Sequence, residues 1–266
     1  MKRSTERNDA RPSSSVLKAV ALVDHVVRAG TPVSLADLSD AVAVPKPTAH
    51  RLARLLEGAG LVRKDPLTRR YTVGAALVDL AFHAIGVGAG QSNRGLLLTR
   101  LSENLGETVN LGVLSGNEIV YLDRVEAAWP LRMDFKPGSR VPLHCTANGK
   151  LLLALAQPAV RRNLLRRMQL VACTPRTITS RARLQRELIE IARRGWSEDN
   201  EEFLVGVCCL AVPVRDRRGR VVAGLAVSAP SARFDLARAR GHLPGLREAA
   251  AAIGRELEIE RGRRFA

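Results

Sequence analysis

Aromatic side chains are scarce in this chain: five Phe, two Tyr and two Trp, 3% of 266 residues. Any core must therefore be built from Leu, Val and Ala. Hydrophobic residues still reach 46%, the composition of a globular chain and not of a disordered one. Cysteine is also rare, with Cys145, Cys173, Cys208 and Cys209 only. None stands in a CxxC pair and no spacing matches a zinc site. A chain of this length needs no disulfide staples. No window holds about 18 uninterrupted apolar residues, so no membrane-spanning helix is expected. The opening MKRSTERNDARPSSS lacks the apolar centre of a secretory signal. GxSxG, HExxH and P-loop patterns are missing, and the five histidines are scattered. These absences point to a reduced cytoplasmic protein without membrane contact, catalytic site, metal or cofactor.

Positive charge is abundant. The formal net charge is +16 and the sequence pI about 11.1, which favours a polyanionic partner. Its distribution is uninformative, however. Residues 1–86 carry a net +5 and residues 87–266 a net +11, with arginine spread throughout. Local pattern has to carry the argument.

The length suits two unequal domains. Residues 1–13 read as a disordered tail. Ser14 or Ser15 caps a helix whose apolar face holds Val16, Val20, Val23, Val26 and Val27, widened by Leu17, Ala19 and Leu22. Gly30-Thr31-Pro32 ends it, and Val33 makes a short strand contact. Ser34 and Asp37 have capping-box spacing ahead of a second helix striped by Leu35, Leu38 and Val42. Pro45 or Pro47 then starts a third helix reaching about Ala59. Leu52, Leu55 and Leu56 face its interior side, leaving Lys46, Thr48, His50, Arg51 and Arg54 outward. Two short strands, 61–64 and 70–73, flank the turn-forming DPLTR. This order is a winged helix-turn-helix with Arg69 and Arg70 in the wing. A helix over 75–85 and a hinge at GVGAGQ follow.

Beyond Leu96 the pattern becomes mixed. It predicts a helix (96–105), strands at 109–114, 119–125 and 131–135, a loop at 136–141, a helix at 146–156, and Arg-rich helix over 158–195. A central hairpin of 207–214 and 221–227 and a helix over 243–258 complete it. The fold class is α+β: domains at 14–74 and 92–260, a linker at 75–91, and a tail at 261–266. WSEDNEE reads as an acidic loop, solvated at Glu198, Glu201 and Glu202, with Glu201 or Glu202 alternatively pairing with arginines. Thr146 or backbone N–H groups near Asn148 could hold an anion at a helix N-terminus. Met133, Phe135 and Leu143 supply apolar walls. Cys208 and Cys209 point to opposite faces of a strand, and His144 and Cys145 would diverge likewise if extended.

Three N-terminal stretches, SSVLKAVALVDHV, LADLSDAVAVPKPTAHRLARLLEGAGLVRKD and RRYTVGAAL, fit a winged helix. Three later ones are more specific: PGSRVPLHCTANGKLLLA, GWSEDNEEFLVGVCCLAVPVRD and GRVVAGLAVSAPSARF. Together they resemble the IclR family of transcriptional regulators. The resemblance implies a DNA-binding head, a GAF-like effector domain, and an effector pocket lined by Asp199, Cys209 and Ser228. A second serine common in the family is Ala226 here, which permits a larger or less polar ligand. It also implies homodimers through the first helix and the 75–85 helix, with effector domains pairing into tetramers. The expected partners are double-stranded DNA with a palindromic or repeated operator and a small organic acid or aromatic metabolite. The rival readings are a winged-helix protein-interaction module and an enzyme with a regulatory head.

Overall fold

A computed structural model describes residues 14–88, 93–127 and 135–263. The chain divides into two compact units, 1–81 and 82–266. The boundary falls inside the helix expected to be the linker.

The first unit holds α1 (Ser15–Ala29), α2 (Leu35–Ala41), α3 (Lys46–Gly58), and a hairpin of β1 (Val62–Lys64) and β2 (Tyr71–Val73). The local chemistry is as expected. The Ser14 hydroxyl accepts from the Leu17 N–H. Ser34 and Asp37 make a full capping box, a motif whose cap residue contributes about 1 kcal/mol. Val33 bridges Tyr71. Leu22, Val26, Leu38, Ala49, Leu52, Ala53, Leu56 and the wholly buried Tyr71 form the core.

Two expectations fail here. Leu55 is 60% exposed, and Ala49 and Ala53 take the inward positions beside Leu52 and Leu56. In α1, Leu22 and Val26 are buried, whereas Val16, Val20 and Val27 are exposed. At 100° per residue those three valines form a second stripe roughly 120° round the helix, beyond the arc that one small core can cover.

The helix α4 (Ala75–Gly88) runs through the first glycines of the expected hinge. The rest of the hinge, the 1–13 tail and most of the expected 131–135 strand lie outside the described residues, as does Met133.

The second unit is an antiparallel six-stranded sheet between helices. Its strands are β3 (Thr108–Ser115), β4 (Glu118–Val125), β5 (Arg140–Pro142), β6 (Ser197–Asn200), β7 (Val207–Arg215) and β8 (Val221–Pro230), in the order β5-β4-β3-β8-β7-β6. The helices are α5 (Asn93–Leu105), α6 (Ala147–Leu155), α7 (Pro158–Arg167), α8 (Arg181–Arg194), the short α9 (Leu236–Ala239) and α10 (Leu243–Arg263). The expected helix over 158–195 is two helices. Met168 closes α7, and Ser180 caps α8 with its side chain. The strand β5 lies where a loop was expected, and α10 runs past the expected end of the domain.

Strand alternation sorts the core. Val109, Leu111, Leu210, Val212, Leu225 and Val227 pack with α5 and α10. The other face presents Ala211 and Ala226 among residues of α6 and α8. Cys208 belongs to the first face and Cys209 to the second, as alternation requires.

Candidate DNA interface and effector pocket

In the head, α3 starts at Pro45, whose side chain offers no cap, and its first turn has no acidic residue. The positive end of the α3 dipole thus has neither a capping side chain nor a first-turn carboxylate against it. Lys46, His50, Arg51 and Arg54 are exposed and Thr48 is half-buried. In the wing, the Asp65 carboxylate accepts from the Thr68 and Leu67 N–H groups, and hydrogen bonding from Thr68 first, then from Leu67, holds its pKa below the usual carboxylate range. Arg69, exposed at the tip, has φ 58°. Arg70 is exposed but donates through Nη1 to the Pro32 carbonyl at 3.0 Å, so part of its guanidinium fastens the wing to the head. Arg63, exposed on β1, is a further basic group on the hairpin that sequence reasoning passed over.

In the second unit, register builds a pocket wall. Asp199 on β6 pairs with Cys209 on β7, which pairs with Ser228 on β8. The three expected effector residues therefore share one rung. The Cys209 thiol donates to the Ser228 hydroxyl oxygen at 3.2 Å, and Asn110 Nδ2 donates to the same oxygen at 3.1 Å. Asn148 Nδ2 in turn donates to Asn110 Oδ1 at 3.1 Å. This chain crosses from α6 onto the sheet where glycine is required. A Cβ on Gly224 would collide with Asn148 Oδ1.

These groups border a cavity of about 20 Å³. Three of the nine aromatic residues gather there. Tyr121 meets Phe135 edge-on at 6.0 Å between centroids, and Phe135 lies 6.1 Å from Phe203. Of the remaining expected residues, Thr146 lines the cavity, yet its hydroxyl is used locally. It accepts from the Gly149 N–H and donates to the Pro142 carbonyl. Leu143 is buried in the core and does not line the cavity. Asn110, Tyr121 and Phe203 carry no local sequence signal and become visible only through the fold.

The acidic stretch is not a solvated loop. Asp199 is 2% exposed and Glu202 is 7% exposed. Glu202 forms a buried ion pair with Lys150 of α6, Glu201 pairs with Arg176 at 3.3 Å, and Glu198 pairs with Arg240 at 2.9 Å. Asp199 Oδ1 accepts from the Glu202 N–H at 2.7 Å. Burial pushes the Asp199 carboxyl up to about 7, with the Glu202 N–H bond and Lys150 opposing it and the Glu202 charge adding to it. Burial, with Asp199 nearby, also raises the Cys209 thiol well above its ordinary value. The Tyr121 phenol is raised by burial first, then by Cys209. Near neutral pH the pocket thus offers neutral hydroxyl and thiol groups beside one carboxyl that titrates, with the Arg124 guanidinium also on its lining, 5.8 Å from the Phe135 ring.

The match to known families decides what this combination is. Residues 92–255 match the family model described as bacterial transcriptional regulator IclR C-terminal, and residues 15–66 match the IclR helix-turn-helix domain. The chain belongs to the IclR family. A Cupriavidus necator protein named as the probable transcriptional regulator SauR is 40% identical over 238 residues, covering 90% of this chain and 94% of that protein. The solved IclR structure from Thermotoga maritima is similar with a TM-score of 0.60 and 30% identity, covering 91% of this chain and 98% of that one. An IclR homolog from Microbacterium hydrocarbonoxydans, solved in complex with 4-hydroxybenzoate, has a TM-score of 0.58 and 25% identity, covering 92% and 100%. The IclR-family chain described here is accordingly a ligand-responsive, DNA-binding transcriptional regulator, with an α+β fold of winged head and effector domain. No helix among the described residues is long and apolar enough to cross a membrane.

Proposed function

We propose that the regulator reads an operator with α3 and the wing, and senses a small organic acid, aromatic in preference, at the Asp199–Cys209–Ser228 rung. Lys46, Thr48, His50 and Arg51 face base edges in this reading, because a recognition helix enters the major groove by its N-terminal residues. In the same reading Arg51, exposed on α3, pairs in bidentate fashion with guanine. Arg54, Arg63, Arg69 and the free part of Arg70 meet phosphates. The exposed Val16, Val20 and Val27 of α1 and Leu80 of α4 supply an apolar surface for a two-fold partner, and a two-fold protein calls for a palindromic or repeated operator. Effector domains pairing in turn would give a tetramer.

The observation that carries the ligand reading is the rung itself, set among three aromatic rings. A carboxyl with a pKa near 7 shares a proton with a ligand acid, Ser228 and Cys209 supply neutral polar contacts, and Tyr121, Phe135 and Phe203 suit a ring edge or face. Ala226 leaves room where a serine would add polarity. The 20 Å³ cavity is about the size of one water, so ligand entry moves its walls. The ligand acts as a switch only if the two forms of the protein bind it with different affinity. No turnover of the ligand is part of this reading, and the protein works in the cytoplasm.

The test is a thermal-shift screen of aliphatic and aromatic carboxylic acids, 4-hydroxybenzoate among them, on the wild type and Asp199→Asn. A stabilising acid whose effect is lost in the variant, and which changes affinity for an operator fragment selected from random DNA, supports the reading. A stabilising acid that acts equally on both proteins sinks it. The rival protein-interaction module is separated by salt, since phosphate contacts make binding fall steeply as salt rises.

A further inference from the structure

The sequence spacing of the cysteines excludes a zinc motif, yet the fold assembles a soft-metal ligand set away from the rung. His144 and Cys145 would diverge if the chain were extended there. They lie instead in a bent segment between β5 and α6, where the alternation rule does not hold. One ring nitrogen of His144 and the sulfurs of Cys145 and Cys173 lie within 4.8 Å of one another.

Three features go beyond proximity. The two sulfurs are 3.8 Å apart. Thiolates bound at about 2.3 Å to a tetrahedral ion stand about 3.8 Å apart, whereas a disulfide needs about 2.05 Å. Next, His144 Nε2 lies 2.9 Å from the Val171 carbonyl oxygen. A carbonyl only accepts, so Nε2 carries the proton here and the ring would ligate through Nδ1; the Cys173 thiol donates to the same carbonyl at 3.7 Å. A backbone carbonyl orienting the second ring nitrogen is the usual support of a metal-binding histidine. Third, the loop bearing Cys173 is fixed. The Thr177 hydroxyl accepts from the Cys173 and Thr174 N–H groups and donates to the Glu202 carbonyl at 2.6 Å, while the Thr174 hydroxyl donates to the Glu201 carbonyl at 2.7 Å. His144 and Cys145 are buried and Cys173 is exposed, which gives an ion a route in. Burial, then the neighbouring Cys173 thiol, then the charges of Asp199 and Glu202, hold the Cys145 thiol in its protonated form. A cation would reverse that balance.

We propose that His144, Cys145 and Cys173 form a binding site for a soft or borderline d10 ion of the Zn2+ class, with three protein ligands and one external ligand. On binding, each thiol releases its proton to solvent and both sulfurs coordinate as thiolates. Because Thr146 and Asn148 directly follow these ligands and border the effector cavity, an ion here pins one wall of that cavity to the 171–177 loop. The binding itself needs neither effector nor DNA.

Co2+ titration of the full-length protein, kept reduced with a phosphine, tests this. The expected result is one equivalent per chain, with thiolate-to-cobalt absorption in the near ultraviolet that Zn2+ abolishes by displacement. Cys173→Ser, at an exposed position, should fold normally and bind at least about tenfold more weakly, and Cys208→Ala should bind as the wild type does. Absence of the absorption in the wild type, its retention in Cys173→Ser, or its loss in Cys208→Ala overturns the proposal. So does a reduced protein that binds no ion but forms a Cys145–Cys173 disulfide on oxidation, which would make the pair a redox device.

Discussion

Replacing Asp199 by asparagine tests the electrostatics of the pocket. Its carboxyl is pushed from an ordinary 3.8 up to about 7 by burial, and each pKa unit is worth about 1.4 kcal/mol between the two protonation states. A raised pKa means that the folded state holds a proton which the unfolded chain has lost over the window between about pH 4 and 7. Stability conferred by that proton falls as pH rises through the window and levels off above 7. Integrated between pH 5 and pH 8, the loss is about 2.5 kcal/mol. The asparagine side chain of the variant cannot ionise, and its amide oxygen still accepts from the Glu202 N–H. Relative to the wild type, Asp199→Asn should therefore gain about 2.5 kcal/mol from pH 5 to pH 8, measured from urea unfolding at four pH values. Titration of Glu202 and the other carboxylates is largely common to both proteins. Two stability curves that run parallel within about 0.5 kcal/mol would refute the reasoning, because they would mean that Lys150 and the Glu202 N–H keep Asp199 ionised throughout.

Other outcomes follow from named contacts. Arg51→Ala should weaken binding to the selected operator by ~1–3 kcal/mol and relax base preference at one position; an unchanged anisotropy titration and binding profile would remove Arg51 from the reading set. Lys150→Met leaves Glu202 buried without its ion-pair partner, so denaturant unfolding should show a loss of about 3–5 kcal/mol, much of it recovered in Lys150→Met/Glu202→Leu. Additive costs in that cycle would argue that the pair is not coupled. Gly224→Ala sets a methyl against Asn148 Oδ1, and should blunt ligand-induced thermal shifts while leaving operator affinity unchanged.

The head was legible because its signals are local. Ser34 and Asp37 cap, Pro45 starts α3, and DPLTR turns the hairpin, all within a few residues of their effects. The burial of Leu55 and of the α1 valines was misjudged for a different reason. Periodicity finds an apolar stripe but not how wide an arc the neighbouring helices cover. In the second unit, β6 escaped detection because it is a four-residue edge strand rich in carboxylates. Glu198 on the strand pairs with Arg240, and Glu201 and Glu202 just after it pair with Arg176 and Lys150, which come from distant parts of the chain. The Asp199–Cys209–Ser228 set was reached by resemblance, and register explains why those three coincide. Tyr121 and Phe203 could not be anticipated, since nothing near them in sequence marks a cavity wall.

The separation of the sheet's two faces has an evolutionary consequence. Ser228, Cys209 and Asp199 alternate along their strands with residues whose side chains anchor α5 or α10 or lie on that side of the sheet. A mutation at a rung position changes what the cavity presents and leaves that anchoring layer intact, while a mutation one residue away does the reverse. Ala226 occupies the next position on the cavity side, so exchanging it for serine alters polarity at the ligand without disturbing the opposite layer. Ligand preference in such a domain can drift by single substitutions under selection, with the packing of the opposite layer untouched.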